Sequence, residues 1–391
     1  MSRLGLFKNL FKIAGGATAA LLATEELYKM NYQVSEGDAF DIKRTRNAYA
    51  ELQKAEKCSP LLKRNLTPVI LQKLEGKKTK LGATLCEVIN SGLHDKDSRA
   101  GMYAADSESY YKFAALFDKV LEDYHGFKPG AKQPPVDYGE QKIDNFPALD
   151  ANGKYIKSVS IQCYRSISGY PFSMLLTEDD YLIIEQKVKN AVQQIEDPDF
   201  QGMYYSVSNM TKEMQDDFGF KHILPDNTVA LNYPHLYNSW PSGRGVFHNK
   251  NKSFIVKVND EDHLNIISAE EGNDIMQVLS RLIRGLKALE KKLPFAYDDR
   301  LGWLTANPCN LGSAIRASVQ IRLPKLSRRS NFPDLCEQLN LCVSSASGSS
   351  SRNSDEYYNI SNKVTLGLTQ YEAIKQMYDG VKQLIEMEEQ A

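Results

Sequence analysis

The chain has 391 residues, enough for one large domain and a smaller one, and its 48 basic against 49 acidic residues leave a net charge of −1. That balance gives no field for steering onto nucleic acid or an anionic surface. The six cysteines form no CxxC pair and the six histidines no HExxH cluster, which excludes a disulfide scaffold, fits free thiols in a reducing compartment, and leaves no expected metal-ligand set.

Residues 1–35 read as an N-terminal extension. Arg3, Lys8 and Lys12 are interleaved with Leu4, Leu6, Phe7, Leu10, Phe11 and Ile13, and no acid precedes Glu25. A basic amphipathic start predicts a mitochondrial-import or membrane-surface segment; a helix capping the next domain, in a cytoplasmic protein, is the alternative, and a fixed anchor a third. The run 13–23 is too short and too rich in glycine and alanine for a transmembrane span.

Over residues 40–125 the apolar spacing is helical, as in Leu61, Leu62, Leu66, Val69, Ile70 and Leu74, with Thr67-Pro68 as a helix start. This predicts a helical N-terminal domain. Residues 126–152, holding KPGAKQPP, read as a linker wrapping onto the next domain. From 153 to 391 short strands alternate with longer helices. Residues 253–258 and 317–323 read as strands, and Ile275, Val278, Leu279, Leu282, Ile283, Leu286 and Leu289 share one face of a helix ending near Pro294. Thr369 with Glu372 forms a capping box for a last helix, and the serine-rich run 344–354 reads as a mobile loop.

Six stretches of the second half then carry a family: SISGYPF (166–172), WPSGRGVFHN (240–249), NDEDHL (259–264), LPFAYDDRLGWLT (293–305), NPCNLGSAIRAS (307–318) and YNISNK (358–363). With DSRAGMYAADSESY (97–110) and FDKVLEDYHGF (117–127), they resemble in order and spacing the ATP:guanidino phosphotransferases, arginine kinases above all. The resemblance implies an α+β fold, a small helical domain followed by a large domain whose antiparallel sheet is flanked by helices. It also implies transfer of the γ-phosphoryl of MgATP to a guanidinium nitrogen. Such chemistry is mostly positioning and charge stabilisation, so the family surrounds the triphosphate with arginines, whose forked, permanently charged groups suit phosphate oxygens. A carboxylate and a cysteine thiolate lie against the guanidinium.

Residue by residue, the resemblance puts Ser160, Gln162, Asn265 and Ser347 where phosphate-binding arginines are expected. Asn307 stands at the reactive-cysteine position, with Cys309 two residues too late, and Arg352 where a second carboxylate is expected. Glu261 matches the carboxylate that holds the guanidinium and Arg316 one phosphate arginine; the plainer readings are a solvated Glu261 and an Arg316 paired with a structural carboxylate. Ser98, Gly101 and Tyr103 match the loop that receives the carboxylate end of free arginine, while Arg99 fills a glycine position and either occludes that pocket or attracts a carboxylate. Counting three strand arginines and a loop arginine as lost donors, each worth on the order of 3 kcal/mol, predicts a pseudoenzyme with a binding, scaffolding or regulatory role and a protein partner. The alternative is an active arginine kinase, binding MgATP and MgADP, whose clamp is rebuilt from Arg165, Arg244 or Arg352. A sensor of arginine or nucleotide is a third reading, and no covalently bound cofactor is expected.

Overall fold

The computed structural model describes residues 36–55, 59–94, 98–214, 238–345 and 357–391. The N-terminal extension, the greater part of the serine-rich run, Ser347 and Arg352 therefore lie outside the described residues.

The first half is helical: α1 (Glu36–Lys54), α2 (Pro60–Asn65), α3 (Pro68–Leu74), α4 (Leu85–His94), α5 (Ser109–Lys112) and α6 (Ala114–His125). The run expected around Thr67-Pro68 is two short helices. Pro68 has no N–H to continue α2, and Thr67, in extended conformation, caps α3 by accepting from the Ile70 N–H. Leu62, Leu66, Ile70 and Leu74 are buried as their spacing predicts, whereas Val69 is 75% exposed. Gly126 ends α6 in the left-handed region at φ 71°.

The second half holds an eight-stranded antiparallel sheet ordered β2-β3-β4-β5-β1-β8-β10-β9. Its strands are β1 (Ile156–Arg165), β2 (Gly202–Ser206), β3 (Gly245–Asn249), β4 (Phe254–Val258), β5 (Leu264–Glu271), β8 (Ile315–Ile321), β9 (Leu341–Ser345) and β10 (Tyr358–Asn362), while β6 (Tyr297–Asp298) and β7 (Gly302–Trp303) form a separate hairpin. Helix α7 (Glu178–Gln193) packs near β2 to β4; α8 (Ile275–Glu290) covers β5 and β1; after the short α9 (Phe332–Gln338), α10 (Gln370–Gln390) covers β8 and β10. The apolar face read for α8 is buried, and the Thr369–Glu372 capping box starts α10. Ser344 and Ser345 belong to β9, not to the expected loop.

Period two splits the central strands into two faces. Val159, Ile161 and Cys163 of β1, with Ile315, Ala317 and Val319 of β8, are buried in the core under the helices. Ser158, Ser160 and Gln162, with Arg316, Ser318 and Gln320, point the other way and line a cleft. The small domain closes against this cleft through the turn-rich stretch 301–318. Leu301, Leu304, Ala306 and Leu311 pack in one cluster with Leu62, Val88 and Phe117 of the helical half. Main-chain bonds join the halves: the Ala104 N–H donates to Ala306 O at 2.7 Å and the Phe172 N–H to Ala105 O at 2.8 Å. Linker residue Gln133 is tied to the large domain, donating to Leu368 O and accepting from the Gly367 N–H.

Candidate active site

The turn between β4 and β5 delivers the acidic motif. Asn259, at φ 56°, closes it and donates its side-chain amide to Tyr181 O and Gly243 O. His263 is buried and neutral: its Nδ1 accepts from the Ile167 N–H and its Nε2 meets Pro171 O, each at 2.9 Å, and burial holds its pKa down to about 4. Asp262 points inward, accepting from the Ala306 N–H (2.7 Å) and the Ser166 hydroxyl (3.0 Å). Burial, and then the neighbouring Glu261 charge, push Asp262 up to about 8.

Glu261 is left facing the cleft, and it is not a solvated surface acid. Its Oε1 accepts from the Tyr103 hydroxyl at 2.6 Å and from Asn307 Nδ2 at 2.7 Å; its Oε2 accepts from Asn310 Nδ2 at 3.1 Å. Burial raises its pKa, while the Tyr103 and Asn307 bonds favour the ionised form. Asn307 is well placed for this because it caps the single 3-10 turn Pro308–Asn310, its Oδ1 accepting from the Cys309 N–H, so that Nδ2 is free to turn toward Glu261. Cys309 itself is buried, its thiol pushed up to about 12 by burial.

Asn310 continues the chain of contacts. Arg316 Nη2 donates to its Oδ1 at 3.0 Å, and Arg316 Nη1 reaches Asn362 O at 3.3 Å and the Ser361 hydroxyl at 3.5 Å. Among the described residues Arg316 has no carboxylate partner, so it is not the structural ion pair of the plainer reading. The bridging role of Asn310 has no counterpart in the sequence expectations; two asparagines three apart around a proline-led turn were the available signal.

The other clamp positions share the cleft face. Gln162 of β1 lies opposite Arg316 of β8 and Ile267 of β5, Ser160 opposite Ser318, and Asn265 opposite Tyr164. Gln162 Oε1 accepts from Asn265 Nδ2 at 3.3 Å and from the Tyr164 hydroxyl at 3.1 Å, which leaves its Nε2 hydrogens without a partner among the described residues. The arginines proposed as substitutes are elsewhere. Arg165 is fully buried on the core face of β1, donating to the Tyr138 hydroxyl and lying over the Trp303 ring. Arg244 is 1% exposed, stacked on Tyr181 and donating to Ser242 O.

The small-domain loop completes the cleft. Ser98 Oγ accepts from the Gly101 N–H at 3.0 Å, and the Ser59 hydroxyl donates to Arg99 O at 2.8 Å. Gly101 has φ 70° and packs so tightly that a Cβ would lie 2.4 Å from Ser59 Cβ. The Arg99 side chain runs out of the loop, its Nη1 lying 3.5 Å from the Tyr124 hydroxyl of its own domain and contacting Cys342 Sγ of β9 in the large one. Among the described residues, no helix is long and apolar enough to cross a membrane.

A helical domain closing over an antiparallel sheet, with a multiply held carboxylate beside an arginine in the cleft, defines the class; the matches define the family. Residues 56–122 match the N-terminal domain of the ATP:guanido phosphotransferases and residues 183–391 their C-terminal catalytic domain, and the chain belongs to that family. It is 48% identical over 352 residues to a protein named a probable arginine kinase in Caenorhabditis elegans, covering 90% of this chain and 89% of that one. It is 42% identical over 356 residues to an arginine kinase of Penaeus vannamei, covering 90% and 99%. Among solved structures, the substrate-free duplicated taurocyamine kinase of Schistosoma mansoni superposes with a TM-score of 0.81 at 32% identity, over 88% of this chain; this chain spans 49% of that duplicated protein. Lombricine kinase superposes with a TM-score of 0.75 at 32% identity, over 87% of this chain and 93% of that one.

These relatives overturn the expectation that phosphoryl transfer has been lost. Proteins 42–48% identical over nine-tenths of the chain are named arginine kinases, and nothing in the described residues shows loss of activity. The expectation counted missing arginines strand position by strand position. In the fold the retained Arg316 has no carboxylate partner among the described residues, and Gln162 carries amide hydrogens without a partner there, which a count of missing arginines leaves out. The protein partner rested on the same inference and has no separate footing.

Proposed function

We propose that this protein is a guanidino kinase that transfers the γ-phosphoryl group of MgATP to arginine through a rearranged phosphate clamp. The observation that carries the reading is the linked set Tyr103–Glu261–Asn310–Arg316, which joins a guanidinium-binding carboxylate to a phosphate-binding arginine through one oriented amide. The arginine kinases among the relatives support arginine as the acceptor.

In this reading Glu261 accepts hydrogen bonds from the acceptor guanidinium and aligns one nitrogen with the γ-phosphorus. The bond from that phosphorus to the β,γ-bridging oxygen breaks, a P–N bond forms, and the guanidinium gives up one proton, which passes to solvent; the products are ADP, phosphoarginine and that proton. Arg316 offsets charge on the phosphate oxygens, and Gln162 supplies neutral N–H donors on the same face. Neutral amides stabilise a dispersed charge less than arginines, so a slower chemical step than a full arginine clamp gives is expected.

The test is a coupled assay of ADP release on the full chain with MgATP and arginine, with phosphoarginine identified by phosphorus NMR. Arginine-dependent turnover is expected. No ADP release above background with arginine or with other guanidino acceptors would overturn the proposal.

A further inference from the structure

We propose that Arg99, carried by the small domain, is a phosphate-binding residue of this cleft and acts with Arg316 on a nucleoside di- or triphosphate. The inference rests on the kinase reading of the site and goes beyond it by assigning the missing charge to a residue outside the sheet.

The loop that carries Arg99 is pinned by its main chain, through the Ser59 hydroxyl on Arg99 O and the Gly101 N–H on Ser98 Oγ, while the side chain leaves the loop. Its guanidinium meets Cys342 Sγ. Cys342 lies directly opposite Ser361 in the β9–β10 ladder, and the Ser361 hydroxyl is one of the groups Arg316 Nη1 reaches. The strands the two guanidinium groups touch are therefore neighbours, about 4.8 Å apart. Among the described residues neither arginine has a carboxylate within ion-pair distance, and both stay charged at every accessible pH. The two like charges disfavour each other, and an anion with adjacent charged oxygens that bridges them relieves that repulsion. A diphosphate presents such oxygens; a single carboxylate meets only one fork well.

The experiment uses the full chain. MgADP affinity is measured by calorimetry, and initial rates are measured with arginine and MgATP varied separately, for wild type, Arg99→Ala and Arg99→Lys. For Arg99→Ala we expect MgADP binding weaker by roughly 10- to 100-fold, a matching rise in KM for ATP, and KM for arginine within about twofold. Arg99→Lys, with the charge but not the fork, falls between. The side chain is exposed, and an unchanged melting temperature shows that the variant is folded. Unchanged MgADP affinity in Arg99→Ala overturns the inference, as does a rise in KM for arginine alone, which would place the acceptor's carboxylate on Arg99. If wild type is active and Arg99→Ala behaves like it, only this inference fails; if wild type neither binds MgADP nor turns over, the kinase reading fails with it.

Discussion

Replacing Glu261 with glutamine changes one oxygen to an amide and tests the centre of the site. Glutamine can keep its carbonyl on the Tyr103 hydroxyl and Asn307 Nδ2, at the 2.6 and 2.7 Å now seen, but then points its own N–H groups at Asn310 Nδ2. Asn310 cannot flip to receive them, because its Oδ1 already accepts from Arg316. The folded state therefore loses one hydrogen bond, about 1 kcal/mol, partly offset by removing a carboxylate whose ionised form burial disfavours. Loss of the charge facing a bound guanidinium is the larger effect, about 3 kcal/mol, or roughly 150-fold in kcat/KM for arginine. The coupled ADP-release assay, run beside a thermal melt, separates the two. A variant within about fivefold of wild type in kcat/KM would refute the assignment of Glu261 to the acceptor. So would a collapse of the melting temperature that accounts for the lost rate, since Glu261 would then be a structural residue.

Asn310→Ala should lower turnover and weaken MgADP binding together, and a double-mutant cycle with Glu261→Gln should show coupling of about 1 kcal/mol; strict additivity would mean that the amide does not link carboxylate and arginine. His263 is expected to titrate near 4 by residue-resolved imidazole NMR. Its folded pKa lies below the unfolded value of about 6.5, so its contribution, about 3 kcal/mol, is complete above pH 6.5 and is lost as the pH falls toward 4. A midpoint above 6 would show that burial and the Ile167 N–H bond to Nδ1 do not hold the ring neutral. Gly101→Ala forces a side chain into the left-handed region and against Ser59, costing about 3 kcal/mol; denaturant unfolding with no loss of stability would contradict the packing described.

Much of the fold was legible because it is written in periodicity and in short punctuating residues. The α8 stripe, the alternation along β8 and the Thr369 capping box each act over a few neighbouring positions, so the sequence alone determined them, together with the family and the positions of Glu261 and Arg316. Exposed Val69 shows the limit of spacing, since a break at Pro68 rotates the next turn away from the expected face.

The state of the clamp was decided by tertiary structure. Aligning strand positions reports which arginines are absent from the sheet, but it is silent on which side chains cross the cleft. Arg165 and Arg244, close to the site in sequence, are buried elsewhere, while Arg99 reaches Cys342 across a separation of 243 positions. The same holds for Glu261, whose partners Tyr103, Asn307 and Asn310 come from two domains. Local patterns fix elements because backbone hydrogen bonding and side-chain period act at short range; charge compensation acts through space, so only the folded chain determines which groups complete it.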